Sequence, residues 1–197
     1  MAPKVLIVLP CRLGSTRLPE KHLIELSNGK TIFEMTYEAC LQTKADKVII
    51  ATDAESIVER TKQFTNDVEL TSHKHNTWSD RVAEVAERYP EYDIVLNIQW
   101  DEPLVDPKTI DEIIDGIIQS DGNTVMCTAK TTFKDIQEVL KPHNVKVITD
   151  KNDLALYFSR SVIPFDRTAN IEEHSLKIED YRKHLGLYAY KRDFLLE

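Results

Sequence analysis

The chain has 197 residues, 42% of them hydrophobic and 29% charged, enough apolar material for one well-buried core and against disorder. Its 25 Lys and Arg against 33 Asp and Glu give a formal net charge of -8, which disfavours a broad nucleic-acid or anionic-membrane surface and restricts any anion site to a local one. Cys11, Cys40 and Cys127 are an odd number with no CxxC pair, which argues against a disulfide framework or structural zinc and fits a reducing cytosol.

The first apolar run starts almost at once, after "MAPK", with no signal peptide before it, and no apolar run approaches roughly 18 residues. The expectation is a soluble, cytoplasmic protein with no nucleic-acid or membrane partner. In chain order, "KVLIVL" reads as a buried strand, "TIFEMTYEACLQ" as a helix, "KVIIAT" as a strand and "ESIVERTKQF" as a helix. "VELT" is a short strand, and "SDRVAEVAERY" is a helix with Val82, Val85, Ala86 and Tyr89 on one face. "DIVLNI" reads as a central strand. "PKTIDEIIDGIIQ" is a helix opened by Pro107, with Ile110, Ile113, Ile114, Ile117 and Ile118 as its apolar stripe.

This alternation predicts an α/β fold with a mainly parallel, mixed sheet and helices on both faces. From Thr124 onward the rhythm loosens: "TVMCTA", "VKVIT" and "LGLYAY" read as strands, and "SRSVIPFDRTANIEEHS" has no clear period and reads as a loop over the site. "IEEHSLKIED" reads as a solvated loop or helix.

Two stretches fall at carboxyl ends of predicted strands, where ligands of such sheets bind. In "PCRLGSTRLPEK" a Gly-Ser-Thr turn carries Arg12, Arg17 and Lys21. Backbone amides and cations of this kind suit a polyphosphate better than a single carboxylate. The pattern is neither G-x-x-x-x-G-K-[ST] nor G-x-G-x-x-G, and solvated surface cations remain the bland alternative. In "NIQWDEPLVDP" Asp101 follows a central strand and is placed to hold Mg²⁺ against a triphosphate; the alternative is an ordinary Asp-Glu-Pro turn. His73 and His75 have a chelating i, i+2 spacing but no third ligand nearby.

The ordered blocks "P-x-R-x-x-S-T-R-L-P-x-K", "IIATD", "H-x-x-x-x-DR", "NIQ-x-DEP", "ALYFSRSVIPFDR" and "RKHLGLYAY" closely resemble the 3-deoxy-manno-octulosonate cytidylyltransferase (CMP-Kdo synthetase) family from Lys4 to about Phe194. The resemblance implies a Rossmann-like nucleotidyltransferase fold and an enzyme that joins CTP to an acidic eight-carbon sugar, releasing pyrophosphate, with Mg²⁺ as cofactor and a homodimer as a possible assembly. By the same resemblance Arg12, Ser15 and Lys21 bind the triphosphate with Arg17 close by, Arg12, Lys21 and Asp101 are the catalytic residues, and Asp101 is a metal ligand. Gln99, Arg160, His184 and Tyr188 match positions that face the sugar acid, Arg160 being suited to its carboxylate.

The chain departs from the family at two places. Members read H-x-S-G-T-[DE]-R and Q-G-D-E-P where this chain has "HNTWSDR" and "QWDEP", so Trp78 and Trp100 stand beside the nucleotide where glycine is expected. Glycine there permits close backbone approach or positive φ, which an indole denies. Three arrangements are open: indoles stacked on the base or on each other, indoles filling the cytosine site, or simple loop packing. The chain also ends at "KRDFLLE", before the family's Pro-Leu-Glu and G-V-D-T-P stretches, the latter bearing a second metal-binding aspartate. The expectation is therefore one cytidylyltransferase-like domain over 1–197 without that segment. A non-catalytic binding or regulatory homologue and an activating enzyme for another acidic sugar are the rival functions.

Overall fold

The computed structural model describes residues 2–12, 24–27, 29–120, 122–167 and 176–197. Ser15, Arg17 and Lys21 lie outside them, as does much of the aperiodic stretch that was expected to cover the site. The chain forms two compact units, Met1–Cys127 with Leu187–Glu197, and Thr128–Gly186.

In the first unit, β1 (Val5–Cys11), β2 (Lys47–Thr52), β3 (Val68–Leu70) and β4 (Ile94–Asn97) form a parallel sheet in the order β3-β2-β1-β4. All seven residues of β1 are buried, and every residue of β4 is too. A strand covered on both faces needs apolar side chains at odd and even positions alike, which is why these runs show no alternation. Beyond β4 the sheet gains an antiparallel neighbour, the end of β8 (Arg182–Lys191), with Asn97 opposite Tyr188 and Ile94 opposite Lys191. The mixed, mainly parallel sheet read from the sequence is present.

Helices α1 (Ile32–Cys40), α2 (Glu55–Thr61), α3 (Trp78–Arg88) and α4 (Pro107–Gln119) supply the cover. Leu6, Val8, Ile49, Ala51 and Val95 share one face of the sheet and pack with Val82, Val85 and Ala86 of α3. Their sequence neighbours Ile7, Ile50 and Leu96 point to the opposite face by the two-residue period and are equally buried. Full burial of one such side chain contributes about 1.5–3 kcal/mol.

The helix starts follow from capping chemistry. Thr31 and Thr77 each accept from the backbone N–H three residues on, while Glu34 and Asp80 return the bond to the cap's own N–H. Asp106 caps α4 and Pro107 occupies its first position, as the sequence suggested. Ile118, expected in the buried stripe of α4, is 42% exposed, whereas the other four isoleucines are buried. Tyr89 lies just past α3 yet still packs against the same core, joined by Leu195 and Leu196 around α6 (Arg192–Leu195).

The second unit has β6 (Lys146–Thr149) antiparallel to β7 (Ala155–Ser159), the beginning of β8 beside β6, and most of β5 (Met126–Thr132), which pairs with β8. Its apolar cluster is small: Phe133, Val139, Leu176 and Tyr181, with α5 (Ile136–Leu140) laid against it. Sequence periodicity missed β7, α5, α6 and the 3₁₀ turn Ile178–Asp180 within the stretch read as a loop or helix.

Candidate active site

β1, β2 and β4 run parallel, so their carboxyl ends lie along one edge of the first unit's sheet. Arg12 is the first residue beyond β1, Asp53 the first beyond β2, and Gln99 to Asp101 come shortly after β4, with the intervening Ile98 N–H donating to Val8 O at 3.2 Å. Arg12 and Asp101 are exposed at this edge.

Asp53, Asp101 and Arg81 all act on the thiol of Cys11, the last residue of β1. Burial pushes that thiol far above its ordinary range; Asp53 and Asp101 add to the rise and Arg81 opposes it. The three charged groups therefore gather at the end of the first strand.

A polar scaffold underlies this edge. Arg81, 3% exposed on α3, donates from Nη2 to Asp53 Oδ2 at 2.7 Å and from Nη1 to the Thr71 hydroxyl, which itself donates to Thr52 O at 3.0 Å. One guanidinium thus ties α3 to the segments leaving β2 and β3. Its Nε is buried with no hydrogen-bond partner. On the other side, the fully buried Thr36 of α1 donates its hydroxyl to Trp100 O at 2.8 Å, pinning the turn that presents Asp101.

His75 pairs with Glu84, which also accepts from Ser72 N–H at 2.9 Å and from Arg88. Burial works to raise the Glu84 pKa, but these donors win and hold it below the usual carboxylate range. His75 is a brace for the loop before α3, and among the described residues no cluster of three or more His, Cys, Asp or Glu could hold a metal by itself.

The tryptophans occupy ordinary backbone. Among the described residues Asp153 is the non-glycine with positive φ, so neither indole stands in a left-handed conformation, and Trp78 is the first residue of α3 behind its Thr77 cap. Trp100 is 6% exposed. The face of Trp78 carries the Arg12 guanidinium, whose Cζ lies 4.8 Å from the ring centroid. The contact is a cation–π one, with a partner that none of the three arrangements named.

The four expected sugar-facing residues divide between the units. Gln99 and Tyr188 lie in the first: Gln99 Nε2 donates to Asn97 Oδ1 at 3.4 Å, and Asn97 sits opposite Tyr188, whose ring stacks on Tyr190. Arg160 and His184 lie in the second. Arg160 is exposed and donates to Pro142 O at 3.2 Å, while its own carbonyl accepts from Lys146 Nζ at 2.8 Å. His184 shares a 2.8 Å hydrogen bond with the Thr128 hydroxyl and meets the Phe158 ring edge to face at 4.8 Å. Burial holds its pKa below the usual imidazole value.

Sequence reasoning assigned no role to Asp53, Arg81, Thr71 or Thr36. Asp53 gave a usable signal, since it ends "IIATD" at a strand's carboxyl end; a lone threonine in a helix gives none.

Comparisons with known proteins give the family of the chain. A family model described as cytidylyltransferase matches residues 6–197. A 3-deoxy-manno-octulosonate cytidylyltransferase of Fusobacterium nucleatum subsp. nucleatum is 40% identical over 195 residues, covering 98% of this chain and 76% of that protein. One from Haemophilus influenzae is 38% identical over 195 residues, covering 96% and 76%. A solved CMP:2-keto-3-deoxy-manno-octonic acid synthetase complexed with CTP matches with a TM-score of 0.86 at 34% identity, over 98% of this chain and 76% of that one. The fold is the Rossmann-like nucleotidyltransferase fold of those relatives, and the chain belongs to the cytidylyltransferase family, among the 3-deoxy-manno-octulosonate cytidylyltransferases.

Proposed function

We propose that this protein transfers a cytidylyl group from CTP to an acidic eight-carbon sugar, Kdo or a close analogue, releasing pyrophosphate, and that it serves lipopolysaccharide assembly in the cytoplasm. The observation that carries the reading is the edge where Arg12 and Asp101 follow adjacent parallel strands, with the turn bearing Asp101 anchored by Thr36. The sugar hydroxyl oxygen forms a bond to the α-phosphorus as the bond to the β-phosphate oxygen breaks, so negative charge grows on the leaving pyrophosphate. Arg12, with Ser15, Arg17 and Lys21 that follow it in the sequence, would bind the triphosphate and stabilise that charge.

Mg²⁺ suits this edge. It binds through one or two carboxylates plus substrate phosphates and water, and Asp101 is an exposed carboxylate in the turn after β4. Asp101 would hold the ion, which when bound neutralises phosphate charge and lowers the pKa of a coordinated hydroxyl. Gln99 and Tyr188 of the first unit would orient the sugar by hydrogen bonds to its hydroxyls. Positioning of this kind supplies much of the barrier reduction that the reaction needs. A homodimer would cover the apolar side chains exposed on and near β7: Leu156 at 65%, Tyr157 at 64% and Phe165 at 74%.

The test is pyrophosphate release with CTP, Mg²⁺ and Kdo, repeated with other nucleotides and acidic sugars beside an active relative. Turnover with CTP and one sugar acid is expected; silence across the panel while the relative works overturns the proposal. Sedimentation of the full chain tests the homodimer, and a monomer at micromolar concentration removes it.

A further inference from the structure

We infer that Trp78 is a positioning residue on the phosphate side of the nucleotide site, holding the Arg12 guanidinium flat so that its in-plane N–H donors face the incoming phosphates. The inference rests on the reading of Arg12 as a phosphate ligand. Arg12 is exposed and directly follows a strand whose seven residues are all buried, so its backbone is fixed while its long side chain is not. Trp78 starts a helix anchored by the Thr77 and Asp80 capping box and by Val82, Val85 and Ala86 in the core. An indole on a rigid helix end and a guanidinium on a rigid strand end meet at 4.8 Å.

The geometry of the two groups decides what the contact can do. A guanidinium is planar, with five N–H donors in its plane, and an aromatic ring engages only its face. Stacking leaves the donor edge available for phosphate oxygens. It also removes rotamer freedom that Arg12 would otherwise lose when the phosphate arrives, and such pre-ordering appears as affinity. An exposed cation–π contact predicts an effect of about two- to fivefold in binding. An indole spent on Arg12 in this way is a support for the phosphate end rather than a platform for the base.

The experiment measures binding of inorganic pyrophosphate and of cytidine, separately and with Mg²⁺ present, to the full chain and to Trp78→Leu, Trp78→Phe and Arg12→Ala. Trp78→Leu is expected to weaken pyrophosphate about two- to fivefold, leave cytidine unchanged and raise KM for CTP with little change in kcat. Trp78→Phe keeps an aromatic face and is expected to restore pyrophosphate binding, which a role in mere packing would not require. In the Arg12→Ala background the Trp78→Leu effect should vanish.

Weaker cytidine binding with pyrophosphate unaffected would overturn the inference in favour of a base platform. A gain of CTP binding in Trp78→Leu would overturn it in favour of a blocked pocket. If Arg12→Ala weakens pyrophosphate but Trp78→Leu does not, the support role fails while the functional reading stands. If Arg12→Ala itself has no effect, the phosphate role of Arg12 fails, and the inference with it.

Discussion

In the unit that carries β1, three of the parallel strands, β1, β2 and β4, stack apolar side chains on both faces of the sheet, and β1 and β4 leave no residue exposed. In the unit Thr128–Gly186 the edge strand β7 has four of its five residues exposed, and the apolar cluster numbers four buried side chains. What stands in for a core there is polar: the fully buried Lys146 donates from Nζ to the carbonyls of Lys141, Asn144 and Arg160 at 3.1, 2.9 and 2.8 Å. Burial lowers its pKa, and three neutral carbonyls satisfy the ammonium geometrically without a carboxylate. One unit is ordered by side-chain packing; the other leans on a cation that gathers backbone. The first tolerates exposed charge at its edge because its frame is independent of it.

That contrast can be broken at four points. The largest effect is expected at the edge itself: Asp101→Asn should cut turnover by about 10³-fold with the melting temperature unchanged, since the side chain is exposed. An active variant would detach the chemistry from this edge. Next comes the Arg81–Asp53 pair, whose guanidinium is buried in the packed unit. Asp53→Ala strands the Arg81 guanidinium in the interior and should cost about 3 kcal/mol in urea unfolding, while adding Arg81→Met should recover part of the loss. A full loss in the double variant would mean that packing rather than charge was removed.

Lys146→Met should cost about 2 kcal/mol, because three carbonyls lose their donor. Hydrogen exchange should quicken around residues 141–146 and 159–161 while β1 amides keep their protection; uniform quickening would erase the distinction between the units. The smallest effect is a pH slope. The His184 pKa is lowered in the fold by burial, so the unfolded chain takes up the proton first. Its contribution to stability is present above about pH 6.5, the unperturbed imidazole value, and is lost as the pH falls below it. His184→Gln should flatten the stability profile between pH 7 and 5, and an unchanged slope would place the titration elsewhere.

The same contrast explains what could be read in advance. Continuous apolar runs such as "VLIVL" and "DIVLNI" announce strands buried on two faces, and the stripe of α4 announces its helix, so the parallel sheet was legible. β7 was not, because Leu156 and Tyr157 are exposed and carry no two-residue alternation; backbone pairing to β6 makes it a strand. α5 spans five residues, too few for a helical period to declare itself. At the candidate site, the places of Arg12 and Asp101 after β1 and β4 were legible. Arg81 ended the block "H-x-x-x-x-DR" without an assigned role, and Thr71 and Thr36 were not assigned, since a buried threonine has no pattern apart from the partner it meets; the meeting of Trp78 with Arg12 is a product of the fold.

Cys11 turns the burial of β1 into an instrument. Thiol reagents attack the thiolate, and this thiol is both enclosed and held far from ionising by burial, with Asp53 and Asp101 reinforcing the effect. Cys40, at the end of α1, is pushed up to about 12 by burial alone, whereas Cys127 is only partly covered. Alkylation should therefore proceed in stages, Cys127 first, then the two enclosed thiols at rates set by how often a strand and a helix open. Equal rates for Cys11 and Cys40 would mean that the sheet and α1 open together; a slower Cys11 would mean that the strand leading to Arg12 opens less often than α1.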